Sequence, residues 1–493
     1  MEKYDYMSDW CGYTYPESNE ISCDEDIIAN FKAVSISSGK FPSGGIPLLR
    51  KGDTVYLNDE NESTVIFGET GSKKTRSVIA PLMVMSAGAG ESAFVTDVKG
   101  ELSTDPKLQK YLRSKGVHCV YLDFRTFAGD GYNILEQPLK LYKAGKKDAA
   151  LTMVARLVNA LSARMENDHT DPFWAQSAKQ YISPLIELLF TMCTGEKEDM
   201  VNMLSLSAFA NYDAAEKLKK VDFTNILPQN SALMFKSVLS NPEKTLACIV
   251  TVLQSMIQDF TMQKDLMDML SYSTFDVSSM YAKPTFVFLI VPDETSAFDD
   301  IAGMLIDIFY TCLIDTYSSV YQNHKEPKCR INFICDEFCN LRINDMKSKI
   351  SASRSRFMRW FLVCQSKNQL DVTYPEAAGT IIGNCKNTLF LQSCDPGMLD
   401  YISDLCGETK VKPDCDSREA LVTADMLRAL KKERTFKQAL FIRESLKYFA
   451  ELPDICTYSF LEKYDKGQPF RFTSKKQRKV RCYTPEMLRY DAY

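Results

Sequence analysis

Histidine is nearly missing from this sequence: among 493 residues there are three, His118, His169 and His324. Chemistry built on histidine triads or on histidine-ligated metal is therefore not expected. Apolar runs of the roughly 18–20 residues needed to cross a bilayer are lacking too. The strongest candidates, Thr285–Pro292 and Leu246–Met256, are shorter and read as buried elements. Met1–Tyr15 is polar and acidic, without the apolar stretch of a signal peptide. The expectation is a soluble, cytoplasmic chain. Glycine (21) and proline (19) are too scarce for a low-complexity chain, and no internal repeat is visible. Basic excess is absent as well. With a net charge of −5, any contact with nucleic acid must come from a local surface.

What is present describes a globular protein, 45% apolar, 25% charged and 11% aromatic, long enough for two or three domains. Its sixteen cysteines are scattered, several inside apolar runs (Cys248, Cys312, Cys364), as reduced core cysteines are. The closest group, Cys329, Cys335 and Cys339, matches no paired zinc spacing, and no metal site is expected there.

Along the chain, residues 1–57 read as a polar lead-in with turns at Ser43-Gly44-Gly45. Short apolar strands are predicted at Ser63–Phe67, Ser92–Thr96 and Val117–Asp123, with helices at Thr75–Met85 and Asp105–Lys115 between them. That alternation is the pattern of a parallel sheet covered on both faces. From Asp148 the periodicity is helical for some 120 residues, with helices at Ala149–Met165, Phe173–Cys193, Met200–Leu218, Ser231–Leu239 and Glu243–Asp259. Strands return at Pro284–Val291, Arg330–Cys335, Arg359–Cys364 and Thr388–Gln392, with a long helix Asp300–Val320. The fold expected is α/β: one parallel or mixed central sheet, split as 58–194 and 272–450, with an inserted all-α domain at 195–271. A tail, 451–493, ends in the basic cluster Lys475, Lys476, Arg478, Lys479 and Arg481. A solvated face and nucleic-acid contact are both open readings of that cluster.

Gly68-Glu69-Thr70-Gly71-Ser72-Lys73-Lys74-Thr75, followed by Arg76, lies between a predicted strand and a predicted helix, the setting a phosphate-binding loop requires. Backbone N–H groups would cradle phosphates, Lys74 would neutralise β/γ oxygens, and the Thr75 hydroxyl would hold Mg²⁺. Lys73 stands where glycine is usual. A side chain there would bring strain of about 1–3 kcal/mol and a further charge beside the nucleotide. A merely structural loop is the other reading.

The strand Ile331–Cys335 ends in Asp336-Glu337. Asp336 would anchor Mg²⁺ through water, and Glu337 would orient or deprotonate the attacking water; a helix N-cap is the alternative for Asp336. Gln365, at the tip of the following strand, is placed to sense a γ-phosphate. An arginine in Ser353–Arg356 would reach a neighbouring subunit's nucleotide, with plain surface charge as its other reading.

These residues, in this order, resemble the coupling ATPases of conjugative type IV secretion, the TraG/TraD type. The resemblance covers most of residues 60–450. It rests on the Gly68–Arg76 loop, Asp97-Val98-Lys99-Gly100-Glu101-Leu102, Tyr132-Asn133-Ile134-Leu135 and Asp171-Pro172-Phe173-Trp174 with Ala178. It continues through Phe288–Pro292, Asp336-Glu337-Phe338-Cys339-Asn340-Leu341, Arg354/Arg356, Gln365, Gln369-Leu370, Asn384 and Gly407. It implies a RecA-like P-loop NTPase domain with an all-helical cap, assembling as a homo-hexamer that uses ATP and Mg²⁺. It also implies Lys74, Thr75, Asp336 and Glu337 as the catalytic core, Gln365 as sensor and Arg354 as the finger. The implied partners are a relaxase or relaxosome with its DNA and the secretion channel. Many members begin with transmembrane helices and none is visible here, so recruitment to the cytoplasmic face of the membrane would need a separate anchor protein. A catalytically weak docking adaptor and another RecA-like DNA pump are the competing readings.

Overall fold

The structure, a computed structural model, describes residues 19–162, 171–261, 263–321, 326–410, 418–464 and 479–491. Outside these lie the acidic start Met1–Tyr15, the end of the helix predicted to reach Met165, His169, His324, and Lys475, Lys476 and Arg478.

Fourteen strands are described: β1 Lys32–Ser35, β2 Ile46–Lys51, β3 Thr54–Asn58, β4 Thr64–Gly68, β5 Ser92–Thr96, β6 His118–Asp123 and β7 Thr285–Ile290 come first. They are followed by β8 Ile331–Cys335, β9 Met358–Cys364, β10 Asn387–Gln392, β11 Glu408–Lys410, β12 Arg418–Ala420, β13 Phe436–Arg443 and β14 Leu446–Pro453. Nine form the central sheet, in the order β14-β13-β10-β4-β9-β8-β5-β7-β6. From β10 to β6 every neighbouring pair is parallel, while β13 and β14 add antiparallel at one edge. The sheet is therefore mixed, as expected.

The buried parallel strands read as mostly apolar runs because both faces are covered. Alternate residues divide between two cores. Val65, Phe67, Phe94, Val287 and Leu289 join the core beneath the long helix Asp299–Val320 and the helical insertion. Ile66, Ala93, Val95, Phe286 and Phe288 face the helices Ala80–Gly88 and Pro106–Ser114. On the first face Phe333 and Trp360 stack at 4.0 Å, and Phe94 lies 4.9 Å from both Phe333 and Phe309. Among the described residues the helix Asp299–Val320 alone is long and apolar enough to span a membrane, and 72% of its apolar window is buried inside the protein.

Three segments carry structure or packing beyond the sequence reading. The lead-in is structured: a helix, Asp24–Asn30, and the antiparallel sheet β1-β3-β2 bury Ile27, Val34, Ile46, Leu48, Val55 and Leu57. Its short strands bury only part of their length, which leaves little periodic signal. Arg359, 1% exposed within β9, ties this segment down by donating to the carbonyls of Gly44 and Glu60 while pairing with Glu91 at 3.1 Å.

The helix Pro172–Met192, ahead of the 195–271 span expected for the all-α domain, packs against Gln229–Leu239 and Glu243–Thr261 within that span. Tyr181 meets Phe235 edge to face at 5.3 Å. The predicted helix Met200–Leu218 is two, Met203–Phe209 and Tyr212–Leu218, each begun by an asparagine cap.

The tail, finally, is not detached. The β14 strand runs into it, and Tyr483 and Leu488 bury themselves against the helical insertion. The Tyr483 N–H donates to Ser205 Oγ at 2.8 Å, and the Arg481 guanidinium is held by the Asp199 carboxylate.

Candidate active site

In this strand order β9 lies between β4 and β8. Their parallel carboxyl ends bring three sequence-distant tips to one edge: the Gly68 loop, Gln365 and Asp336-Glu337. Outside that edge is where open α/β sheets place ligands. A cleft of about 460 Å³ opens there, lined by residues 70–76, Asp336, Glu337 and Gln365.

The loop passes directly into a helix, as a wide π turn Thr75–Ile79 and then Ala80–Gly88. The first-turn N–H groups of a helix lack intrahelical acceptors and attract anions. The chain approaches itself closely at Gly68, where a Cβ would sit 2.6 Å from Ser72 Oγ. Gly71 takes φ +82. Lys73 is left-handed as well, at φ 66, where glycine would adopt the torsion without cost.

The two adjacent lysines point apart. Lys74 is 8% exposed and turns inward, donating to the Gly68 carbonyl at 2.8 Å and pairing with Glu337 Oε1 at 3.4 Å. Lys73 turns outward. Its ammonium donates to the carbonyls of Glu433 and Arg434 at 2.6 and 3.2 Å and to Asp454 Oδ2 at 2.9 Å. The expected extra charge beside the nucleotide is thus directed away from the cleft, because these acceptors just before and just after the β13–β14 hairpin claim it. Glu69 and Arg76 are engaged elsewhere too. The Glu69 carboxylate accepts the Cys394 N–H at 3.0 Å, and Arg76 clasps both oxygens of Asp454.

Glu337, at φ 49, is offered to the cleft by a left-handed turn at the end of β8. Its second oxygen accepts from Gln365 Nε2 at 2.9 Å. Burial pushes the neighbouring Asp336 carboxyl up to about 7, helped by the Glu337 charge and opposed by Lys74. Among the described residues Asp336 caps no helix; its Oδ1 accepts the N–H of Glu337 at 3.1 Å.

Arg354 is not brought to this cleft. It sits just before β9, at the opposite edge of the sheet, two-thirds exposed and 3.8 Å from Glu62.

The cleft is also lined by residues to which the sequence reading gave no role: Asp97, Lys99, Glu101, Asp293 and Asn340. All but Asp293 lie in the two motifs, after β5 and after β8, that signalled the resemblance. The Asp97 carboxylate accepts the N–H of Ser103 at 2.7 Å and is raised by burial. By contrast, Asn133 is a buried tie, donating to the Val201 carbonyl at 2.7 Å.

A family model described as type IV secretory system conjugative DNA transfer matches residues 23–439. The chain belongs to that family. A probable conjugal transfer protein TraG from Sinorhizobium fredii (strain NBRC 101917 / NGR234) is 24% identical over 360 residues, 72% of this chain. The chain spans about half, 53%, of that relative's length. Among solved structures, the plasmid coupling protein TrwB in complex with the GTP analogue GDPNP aligns over 93% of this chain and 95% of its own, with a TM-score of 0.56 and 15% identity. TrwB in complex with ADP and Mg²⁺ aligns over 93% and 96%, again at TM-score 0.56 and 15% identity. At such identity the likeness concerns the fold, which in this conjugative DNA transfer family member is a RecA-like P-loop domain carrying an all-α unit.

Proposed function

We propose that this chain is an ATP-driven coupling protein that delivers relaxosome-bound DNA or protein to a type IV secretion channel, working as a homo-hexamer. The observation that carries the reading is the convergence of Lys74, Glu337 and Gln365 at the carboxyl ends of β4, β8 and β9. Membership of the conjugative DNA transfer family supplies the transport context.

The residues present fit a nucleotide with Mg²⁺. Ser72 Oγ is buried without a partner among the described residues, inside a loop that a Cβ at Gly68 would fill. Residues 70–75 would hold phosphates through backbone N–H groups and Lys74, and Thr75 with Asp336 would hold the metal. Bound Mg²⁺ would supply neutralisation of phosphate charge. Lys74, released from Glu337, compensates phosphate charge in a poorly hydrated position. Glu337 takes a proton from water or orients it, and Gln365 fixes the direction of that carboxylate. Arg354, remote from its own cleft, serves a neighbouring subunit. A separate membrane protein would provide the anchor to the cytoplasmic face.

The test is ATP hydrolysis by wild type, Lys74→Ala and Glu337→Gln, with single- and double-stranded DNA present. Both variants are expected to lose a DNA-responsive activity that wild type retains. Equal, negligible rates for all three would leave the docking-adaptor reading in place of the motor.

A further inference from the structure

Lys73 and Arg76 flank Lys74 and share one acceptor. Asp454 lies immediately after β14, 381 residues beyond Lys73, and its side chain is fully buried. One oxygen takes the Lys73 ammonium at 2.9 Å, and Arg76 bonds to both. The aspartate is itself fixed, its N–H donating to the Thr435 carbonyl at 2.8 Å and its Oδ1 accepting the Cys456 N–H at 3.0 Å. Lys432, from the same region, donates to the Gly71 carbonyl. The hairpin thus grips the loop from outside, on both sides of the residue that faces the cleft.

We infer that Asp454 is a positioning residue for the phosphate-binding loop: it holds Lys73 in the left-handed conformation that glycine takes unaided, and keeps its ammonium out of the phosphate space. This rests on the nucleotide-binding reading above. A lysine at positive φ persists only when its surroundings over-determine it. Here the three acceptors of Lys73 and the Arg76 fork supply that constraint. The loop keeps its shape through a charge link to the sheet edge in place of glycine's freedom.

The probe is a fluorescent ATP analogue with Mg²⁺, titrated against the purified full chain and three variants, with thermal melting as a control for folding. Asp454→Asn keeps the shape of the side chain but removes the charge, and is expected to weaken binding about tenfold or more. Lys73→Met breaks the link from the loop side while leaving Asp454 with Arg76, and is expected to weaken binding similarly. Adding Lys73→Gly to Asp454→Asn should restore affinity to within about threefold of wild type, a rescue that a purely structural role for Asp454 would not produce. Wild-type affinity in Asp454→Asn and Lys73→Met, or no rescue by Lys73→Gly, overturns the positioning role alone. No binding by wild type overturns the nucleotide reading and the positioning role with it.

Discussion

Gln365 donates from Nε2 to one oxygen of Glu337 over 2.9 Å, while Lys74 faces the other oxygen at 3.4 Å. The carboxylate is held between an amide that orients it and an ammonium that neutralises it. A ligand carrying its own negative charge competes for that ammonium. Drawing Lys74 away would leave Glu337 held by Gln365 alone.

Glu337→Gln should therefore separate binding from turnover. Phosphate release is expected to fall by 10²–10⁴-fold, the usual range for losing a positioned general base. Affinity for an ATP analogue should hold or improve, because Lys74 no longer has a competing anion. Steady-state phosphate release beside equilibrium titration checks this; a parallel loss of both would assign the carboxylate to binding.

Gln365→Ala removes one hydrogen bond to a charged acceptor, worth roughly 1.5–3 kcal/mol. Turnover is expected to fall about tenfold or more, with analogue affinity little changed. Gln365→Glu should be worse, since it places a second carboxylate against Glu337. Turnover and affinity measured on both variants decide the point.

Arg354→Ala should leave nucleotide affinity unaltered, because the arginine lies across the sheet from its own cleft. Turnover in the assembled state is expected to drop by 10³-fold or more, the scale of a lost arginine finger. Mixing Arg354→Ala with Lys74→Ala chains should recover part of the activity, as each supplies what the other lacks. No recovery in mixed assemblies would return Arg354 to the role of a surface charge.

Asp454 gives a pH signature. Burial would raise its carboxyl, but the bonds from Arg76, the Cys456 N–H and Lys73 outweigh that and lower it to about 2. A folded value below the unfolded one means stability fully present above about pH 4 and lost as pH falls toward 2. The shift corresponds to about 2 kcal/mol. Denaturant midpoints of wild type and Asp454→Asn should therefore differ at pH 6 and converge in acid, and a gap independent of pH would contradict the link.

Packing at the heart of the sheet gives a test independent of function. Trp360 is fully buried, stacks on Phe333 at 4.0 Å and donates its indole N–H to Ser353 Oγ at 2.7 Å. Trp360→Ala is expected to cost about 3–5 kcal/mol, read from the shift in denaturant midpoint.

The seven predicted strands are β4 to β10. They were legible because strands covered on both faces are largely apolar, as Phe286–Ile290 and Trp360–Cys364 are. The β13–β14 hairpin was not anticipated, since polar residues such as Lys437, Gln438, Lys447 and Glu451 interrupt it. The loop and Asp336-Glu337 could be found locally, since each is a short motif at a strand end. The direction of Lys73 could not, because its partner is hundreds of residues away and Asp454 belongs to no recognisable pattern. Nor could the packing partners of Pro172–Met192, since helical periodicity does not reveal which neighbour a helix packs against.

The helical insertion leaves the sheet after β6 and re-enters at β7, and these two strands run parallel, paired from His118 with Thr285 to Asp123 with Ile290. Its two attachments therefore lie at opposite ends of the strand pair. A force on the insertion loads the six paired positions in shear, all together, where an antiparallel pair would peel open one bond at a time. The unit is strapped along the sheet's edge like a load tied at both ends, so a push from its outer surface is carried into the body of the sheet.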